Sequence, residues 1–110
     1  MLISWWDNIS DSIMPDIFDE YEFAGWDLEH AAITETSLMM FFAPELVDAE
    51  NLPHEGLKNV NPYQTFPAAE GIIPASGSLY TARSSSREKG KLIAEDVVNN
   101  FLAITKKEFG

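Results

Sequence analysis

Gly25-Trp26-Asp27-Leu28-Glu29-His30-Ala31-Ala32-Ile33-Thr34-Glu35-Thr36-Ser37-Leu38-Met39-Met40-Phe41-Phe42 is the stretch on which the reading of this chain turns. Its second half predicts a helix over Ala31 to Phe42. Ile33, Leu38, Met39, Met40, Phe41 and Phe42 make that helix apolar on most of its surface, the character of a buried one. Pro44 ends it, because the residue before a proline is pushed out of the helical region. Its first half, Trp26 to His30, reads as extended or irregular after a turn at Phe23-Ala24-Gly25. If extended, Asp27 and Glu29 point to one side while Trp26, Leu28 and His30 point to the other. His30 then stands at the start of the helix. The positive end of the helix dipole favours a neutral imidazole, ready to accept a proton, while Asp27 and Glu29 favour the protonated ring. The sequence leaves that balance open. Acids before a helix and in its first turn are also what capping alone selects, and Glu35 and Thr36 read most simply as such first-turn residues.

Upstream, Leu2 to Trp6 is a β-prone run that predicts a short strand, with Asp7 capping a helix after it. The apolar run starts at once, as if the chain opened inside a buried strand. Ile9, Ile13, Ile17 and Phe18 have helical spacing, but Pro15 must break that helix or begin a second short one. Downstream, Glu45 to Ser84 has no strong period and holds Pro53, Pro62, Pro67, Pro74, Gly56, Gly71 and Gly77. So long an irregular stretch is unusual inside a compact domain. It predicts an arm packed on another part of an enzyme or on a neighbouring subunit, with Phe66, Ile72, Ile73, Leu79 and Tyr80 as anchors. Ser85-Ser86-Arg87-Glu88 then fits a capping box. Ile93, Val97, Phe101 and Ile104, joined by Leu102, give the following helix an apolar face, and Lys106 and Lys107 suit its last turn.

The totals bound function without fixing it. The 110 residues are one domain at most, and 45% hydrophobic with 23% charged residues is a globular composition. A formal charge of −11, from 18 acidic and 7 basic residues, disfavours nucleic acid and anionic membranes as partners. No cysteine is present, which excludes disulfides and thiolate metal sites. The start lacks the basic region and apolar run of a secretory signal, and no apolar stretch approaches the ~20 residues of a membrane span. A cytoplasmic location is expected.

The polar residues offer few competing sites. His54, in Leu52-Pro53-His54-Glu55-Gly56, reads as a solvated loop histidine. Ser84, Ser85 and Ser86 are better explained by capping than as nucleophiles. The two histidines lack the close spacing of metal-binding pairs, so no metal ligand is assigned. Trp5, Trp6 and Trp26 taken alone are core candidates.

Gly25-Trp26-Asp27-Leu28-Glu29-His30, followed by Glu35-Thr36-Ser37-Leu38-Met39, closely resembles the creatininase family of amidohydrolases, which open the creatinine ring to creatine. Ser4-Trp5-Trp6-Asp7, Pro44-Glu45-Leu46-Val47-Asp48 and Ser85-Ser86-Arg87-Glu88-Lys89-Gly90 extend the match collinearly along essentially the whole chain. The resemblance implies the C-terminal portion of an α/β fold, the creatininase-like three-layer α/β/α domain. In residues 1–110 that portion comprises one short strand, about three helices and a long irregular arm. It implies that His30 moves a proton between the attacking water and the leaving ring nitrogen and that Glu29 tunes or orients it. It implies too that Trp26 and Asp27 contact the substrate and that Trp6 closes over it. The family has a pair of divalent metals, zinc or manganese, held by an N-terminal half that this chain does not carry. None is therefore expected on this chain alone, which is expected to be inactive. The implied partners are the missing half, a small cyclic amide and further copies in a homo-oligomer, commonly a hexamer. Two departures stand out: Ala31 and Ala32 replace the family's usual two glycines, favouring helix and adding methyl groups beside the site. A sister amide hydrolase (a formamide deformylase or a peptide-trimming enzyme) and a non-catalytic assembly module are the alternatives.

Overall fold

A computed structural model describes residues 1–56 and 62–110. Two helices do most of the packing. α2, Ile33–Phe42, and α3, Arg87–Phe109, lie against each other, with the short α1, Met14–Ile17, completing the core. Their approach is set by one residue without a side chain. Any Cβ at Gly90 of α3 would fall inside the backbone carbonyl of Ser37 on α2, so the two backbones are closer than any other residue permits. Ser37 Oγ accepts a hydrogen bond from the Ser86 N–H at 3.2 Å, and the Arg87 guanidinium stacks over the Phe41 ring at 5.6 Å.

The buried core is small: Ile17, Ile33, Ile93 and Val97, ringed by partly buried Trp5, Ile9, Ile13, Phe18, Tyr21, Leu38, Tyr80 and Phe101. The N-terminal segment is fastened to α3 by polar bonds as well. The Asp96 carboxylate accepts from both the N–H and the hydroxyl of Ser10, each at 2.7 Å, and Asn100 Nδ2 donates to the Asn8 carbonyl at 2.7 Å. Asp96 thereby fastens Ser10, the residue that precedes the turn at Asp11–Ile13, to α3. At the other end of the chain's entry into α3, Lys89 Nζ donates to Asp19 and to the Ser84 carbonyl, both at 2.7 Å. That hydrogen bond from Lys89 holds the Asp19 carboxyl below its ordinary value.

Several expectations need correction. No strand occurs among the described residues: Leu2 to Ser4 are irregular, and Trp6–Asn8 form a 3-10 turn. An isolated β-prone run has no neighbour here to pair with, and propensity alone does not make a strand. Asp7 lies inside that turn and caps nothing. α1 does begin beside Pro15, as its fixed φ favours. α2 starts at Ile33, two residues later than expected, and Met39 and Phe42 are exposed, so the helix is not buried all round. α3 is capped by Ser86, whose hydroxyl accepts from the Lys89 N–H at 3.1 Å. Ser85 is instead tied into a turn through its N–H to the Ala82 carbonyl. That one-residue shift puts Glu88 a position too early for a reciprocal capping box.

The irregular arm is present. Beyond 3-10 turns at Pro44–Leu46 and Ala49–Asn51, the described residues up to Ser86 form no regular element. Its return limb is its anchor: Ser78, Thr81, Ala82 and Ser84 are buried, and Leu79 and Tyr80 partly so. Phe66 and Ile73, also named as anchors, are exposed. No described helix is long and apolar enough to cross a membrane.

Candidate active site

Trp26 to Glu29 form tight turns, not an extended segment. The Leu28 N–H bonds to the Gly25 carbonyl at 3.1 Å and the Glu29 N–H to the Trp26 carbonyl at 3.3 Å. Gly25 makes this possible in two ways. Its φ of 114° is a conformation other residues rarely adopt, and a Cβ there would meet Asp27 Oδ1 at 2.7 Å. The turn breaks the expected two-sided alternation. Glu29 goes inward and is buried, whereas Asp27 and His30 face out.

Glu29 closes the start of α2. Its Oε2 accepts from the Thr34 N–H at 2.9 Å and the Thr34 hydroxyl at 2.7 Å. Ala32, at the position before the helix, offers no side-chain cap, so Glu29 supplies it from three residues further back. Its other oxygen, Oε1, is buried with no hydrogen-bond partner among the described residues. Burial holds the Glu29 carboxyl above its ordinary value; the Thr34 bonds pull against this, and the nearby Glu35 charge adds to it. Burial likewise pushes the Tyr80 phenol up, helped by Glu22 and Glu29.

His30 sits outside α2, its side chain 66% exposed. Its backbone is pinned: the return limb of the arm donates the Leu79 N–H to the His30 carbonyl at 3.1 Å. Ala31 follows at φ 51°, left-handed backbone that costs an ordinary L-residue about 1–2 kcal/mol. Three bonds hold it there. Its N–H donates to Glu35 Oε2 at 2.6 Å, and its carbonyl accepts from the Ser78 hydroxyl at 3.0 Å and the Thr36 hydroxyl at 3.2 Å. The alanine therefore does not extend the helix as its propensity suggested; it occupies a conformation that suits the glycine usual in the family. Glu35 Oε2 is also 4.0 Å from His30 Nδ1.

Aromatic rings flank this loop. Trp26 packs edge-on against Phe23 at 4.8 Å and Trp5 at 6.3 Å, and Trp5 meets Trp6 edge-on at 5.8 Å. Trp6 and Trp26 are thus joined through Trp5, with Trp6 on the outer, exposed side. Sequence reasoning gave Trp5 no more than a place in the core and treated Glu35 as a first-turn residue. The tandem Trp5-Trp6 was the available signal for the first. The four-residue spacing of Ala31 and Glu35 was a helical signal for their contact; nothing in helical or strand spacing brings residue 35 onto residue 30 across an irregular loop. His54 is an exposed loop residue, as expected, yet it is held: its Nδ1 is 2.8 Å from Thr81 Oγ1, its ring is 5.4 Å from that of Tyr21, and both flank a cavity of about 350 Å³.

Among the described residues, no three His, Asp or Glu side chains gather in a way that could hold a metal ion. Of the acids near His30, Glu29 Oε2 is bonded to Thr34 and Glu35 Oε2 to the Ala31 N–H. This donor set does not fit the family's metal pair.

The creatininase family profile, described as creatinine amidohydrolase, matches residues 4–105. The chain belongs to the creatininase family. It is 36% identical over 110 residues to the creatinine amidohydrolase of Pseudomonas putida, covering 99% of this chain and 42% of that protein. Among solved structures, a glutamate-to-glutamine mutant creatininase complexed with creatine superposes with a TM-score of 0.89 at 37% identity. A manganese creatininase gives the same score and identity. Each comparison covers 97% of this chain and 42% of the other. Related structures include a Zn–Zn form and two tryptophan-to-phenylalanine mutants whose substituted positions lie 20 residues apart. The chain therefore spans about two fifths of the length of these creatininases, and its helices and arm are a fragment of their α/β fold.

Proposed function

We propose that this chain supplies the substrate-binding and proton-relay part of a metal-dependent creatininase-type amidohydrolase that opens creatinine to creatine. The observation that carries the reading is the placement of His30: an exposed imidazole on a pinned backbone, on the loop that also bears Trp26 and Asp27. A planar cyclic amide suits indole walls, and the Asp27 carboxylate suits the N–H groups of its guanidine-like edge. Trp26 and Trp6 lie 20 residues apart, the separation of the two tryptophans substituted in solved creatininases. This supports Trp6, not Trp5, as the second substrate-facing indole.

In this reading His30 takes a proton from water as its oxygen bonds to the ring carbonyl carbon. It then gives that proton to the ring nitrogen as the C–N bond breaks; the carboxylic acid so formed passes its own proton to the guanidine group, leaving an open-chain carboxylate. Glu29 acts through the backbone. By capping α2 it fixes the start of the helix and hence the loop that carries His30. The metal ions named in the relatives' structures are assigned to the rest of the family domain, because no group of acids and imidazoles among the described residues could hold them. Further copies of the assembly as a homo-oligomer belong to the same proposal.

The test is reconstitution. The chain is mixed with a polypeptide carrying the remainder of the creatininase length and with manganese or zinc, and creatinine, formamide and short-peptide substrates are compared. Creatinine opening is expected to dominate, and Asp27→Ala to raise its KM roughly tenfold or more. Turnover of a formamide or a peptide in preference would transfer the chain to a sister activity. No turnover from a metal-loaded, folded assembly would leave it a non-catalytic module.

A further inference from the structure

The backbone of His30 is fixed by the Leu79 N–H and by the held conformation of Ala31, but its ring projects into solvent. A proton relay needs its ring nitrogens differentiated, one held as a donor and the other left free. Glu29, the acid next to His30 in sequence, has its Oε2 turned into the helix start and bonded to Thr34. Glu35 is the acid near the ring. Its Oε2 is anchored by the Ala31 N–H at 2.6 Å and is 4.0 Å from His30 Nδ1, a gap that a small rotation of two part-exposed side chains closes.

We propose that Glu35, not Glu29, is the positioning residue for the His30 ring: its carboxylate accepts the Nδ1 proton and leaves Nε2 bare to take up and release the proton that moves. The proposal rests on the reading of His30 as the relay. It also gives the strained Ala31 a purpose. The left-handed turn at φ 51° aims the Ala31 N–H at the same carboxylate oxygen that faces Nδ1. One carboxylate therefore sets both the loop and the ring.

Side-chain ¹⁵N spectra of His30, recorded on the full 110-residue chain at a pH where the ring is neutral, test this directly. The native chain is expected to hold the Nδ1–H tautomer. Glu35→Gln, which keeps an acceptor oxygen, should retain it, and Glu35→Ala should shift the ring toward the Nε2–H form. The amide signals of Leu79 and Thr34, bonded to the His30 carbonyl and to Glu29 and not to Glu35, report whether the loop itself survives in each variant. In the reconstituted enzyme, Glu35→Ala should lower kcat about 10–100-fold with little change in KM, and Glu35→Gln should recover part of the loss. An Nε2–H tautomer in the native chain, or a tautomer indifferent to Glu35→Ala with the loop intact, overturns the proposal. Failure of the relay reading looks different: the tautomer follows Glu35, yet His30→Ala leaves turnover unchanged.

Discussion

At the scale of single residues, the decisive feature is how buried and strained groups are shared out around His30. Glu29 is raised by burial, so the folded state holds its proton more tightly than the unfolded chain does. Its contribution to stability is full below the unfolded value of 4.5 and is lost as pH rises through the folded value. Wild type is therefore expected to lose stability relative to Glu29→Gln as pH climbs above 4.5, read as the difference in melting midpoint. A flat difference would contradict it. Asp19 has the opposite sign: lowered by Lys89, it stabilises above its unfolded value of 3.8 and ceases to as pH falls through the folded one. Ala31→Gly should raise stability by about 0.5 kcal/mol, since relief of about 1–2 kcal/mol of left-handed strain exceeds the added unfolded-state entropy. A loss near the ~1 kcal/mol typical of glycine in a helix would mean that the position is helical after all. The candidate loop could be picked out in the sequence because Trp26, Asp27, Glu29 and His30 fall within one short segment. The directions of their side chains were not, because Gly25 turns the chain and destroys the alternation assumed for an extended run.

At the scale of elements, two helices were readable, whereas the strand expected over Leu2 to Trp6 does not form among the described residues. The face of α3 repeats at helical spacing through Ile93 and Val97, and both are buried. That periodicity is a local property and survives outside its full context. A strand is defined by its neighbours, so Leu2 to Trp6 could not become one among the described residues. The close crossing of α2 and α3 was also illegible, since a single glycine in a helix usually signals only weakness. Gly90→Ala should force the helices apart and cost about 1–3 kcal/mol, measured by chemical denaturation. A neutral result would show that the crossing is looser than the Gly90–Ser37 approach requires. Asp96→Ala should cost about 2 kcal/mol and free the segment around Ser10 to exchange its amide protons, because two charge-assisted bonds at 2.7 Å are removed together.

At the scale of the whole molecule, the exposed surface of 7584 Å² exceeds the about 6,100 Å² expected of a compact monomer of this mass. The radius of gyration, 15.5 Å, likewise exceeds the about 13 Å of a self-contained domain. Leu2, Leu102, Phe109 and Phe66 are among the exposed apolar residues responsible. The chain spans about two fifths of the length of the creatininase it matches, and we propose that the surfaces covering such faces lie in the remainder of that length. The chain alone is expected to self-associate in sedimentation. A complementing creatininase piece should raise its melting midpoint in proportion to the logarithm of concentration, as any partner of the folded state does. A monodisperse, cooperatively melting chain indifferent to that piece would contradict this. The central claim is that the His30 ring relays the proton. Its most direct test is the turnover of creatinine by the metal-loaded, reconstituted assembly carrying His30→Ala. Turnover should fall by about 10²-fold or more, with metal content and substrate binding near those of the unsubstituted assembly; turnover preserved within a few-fold would contradict it.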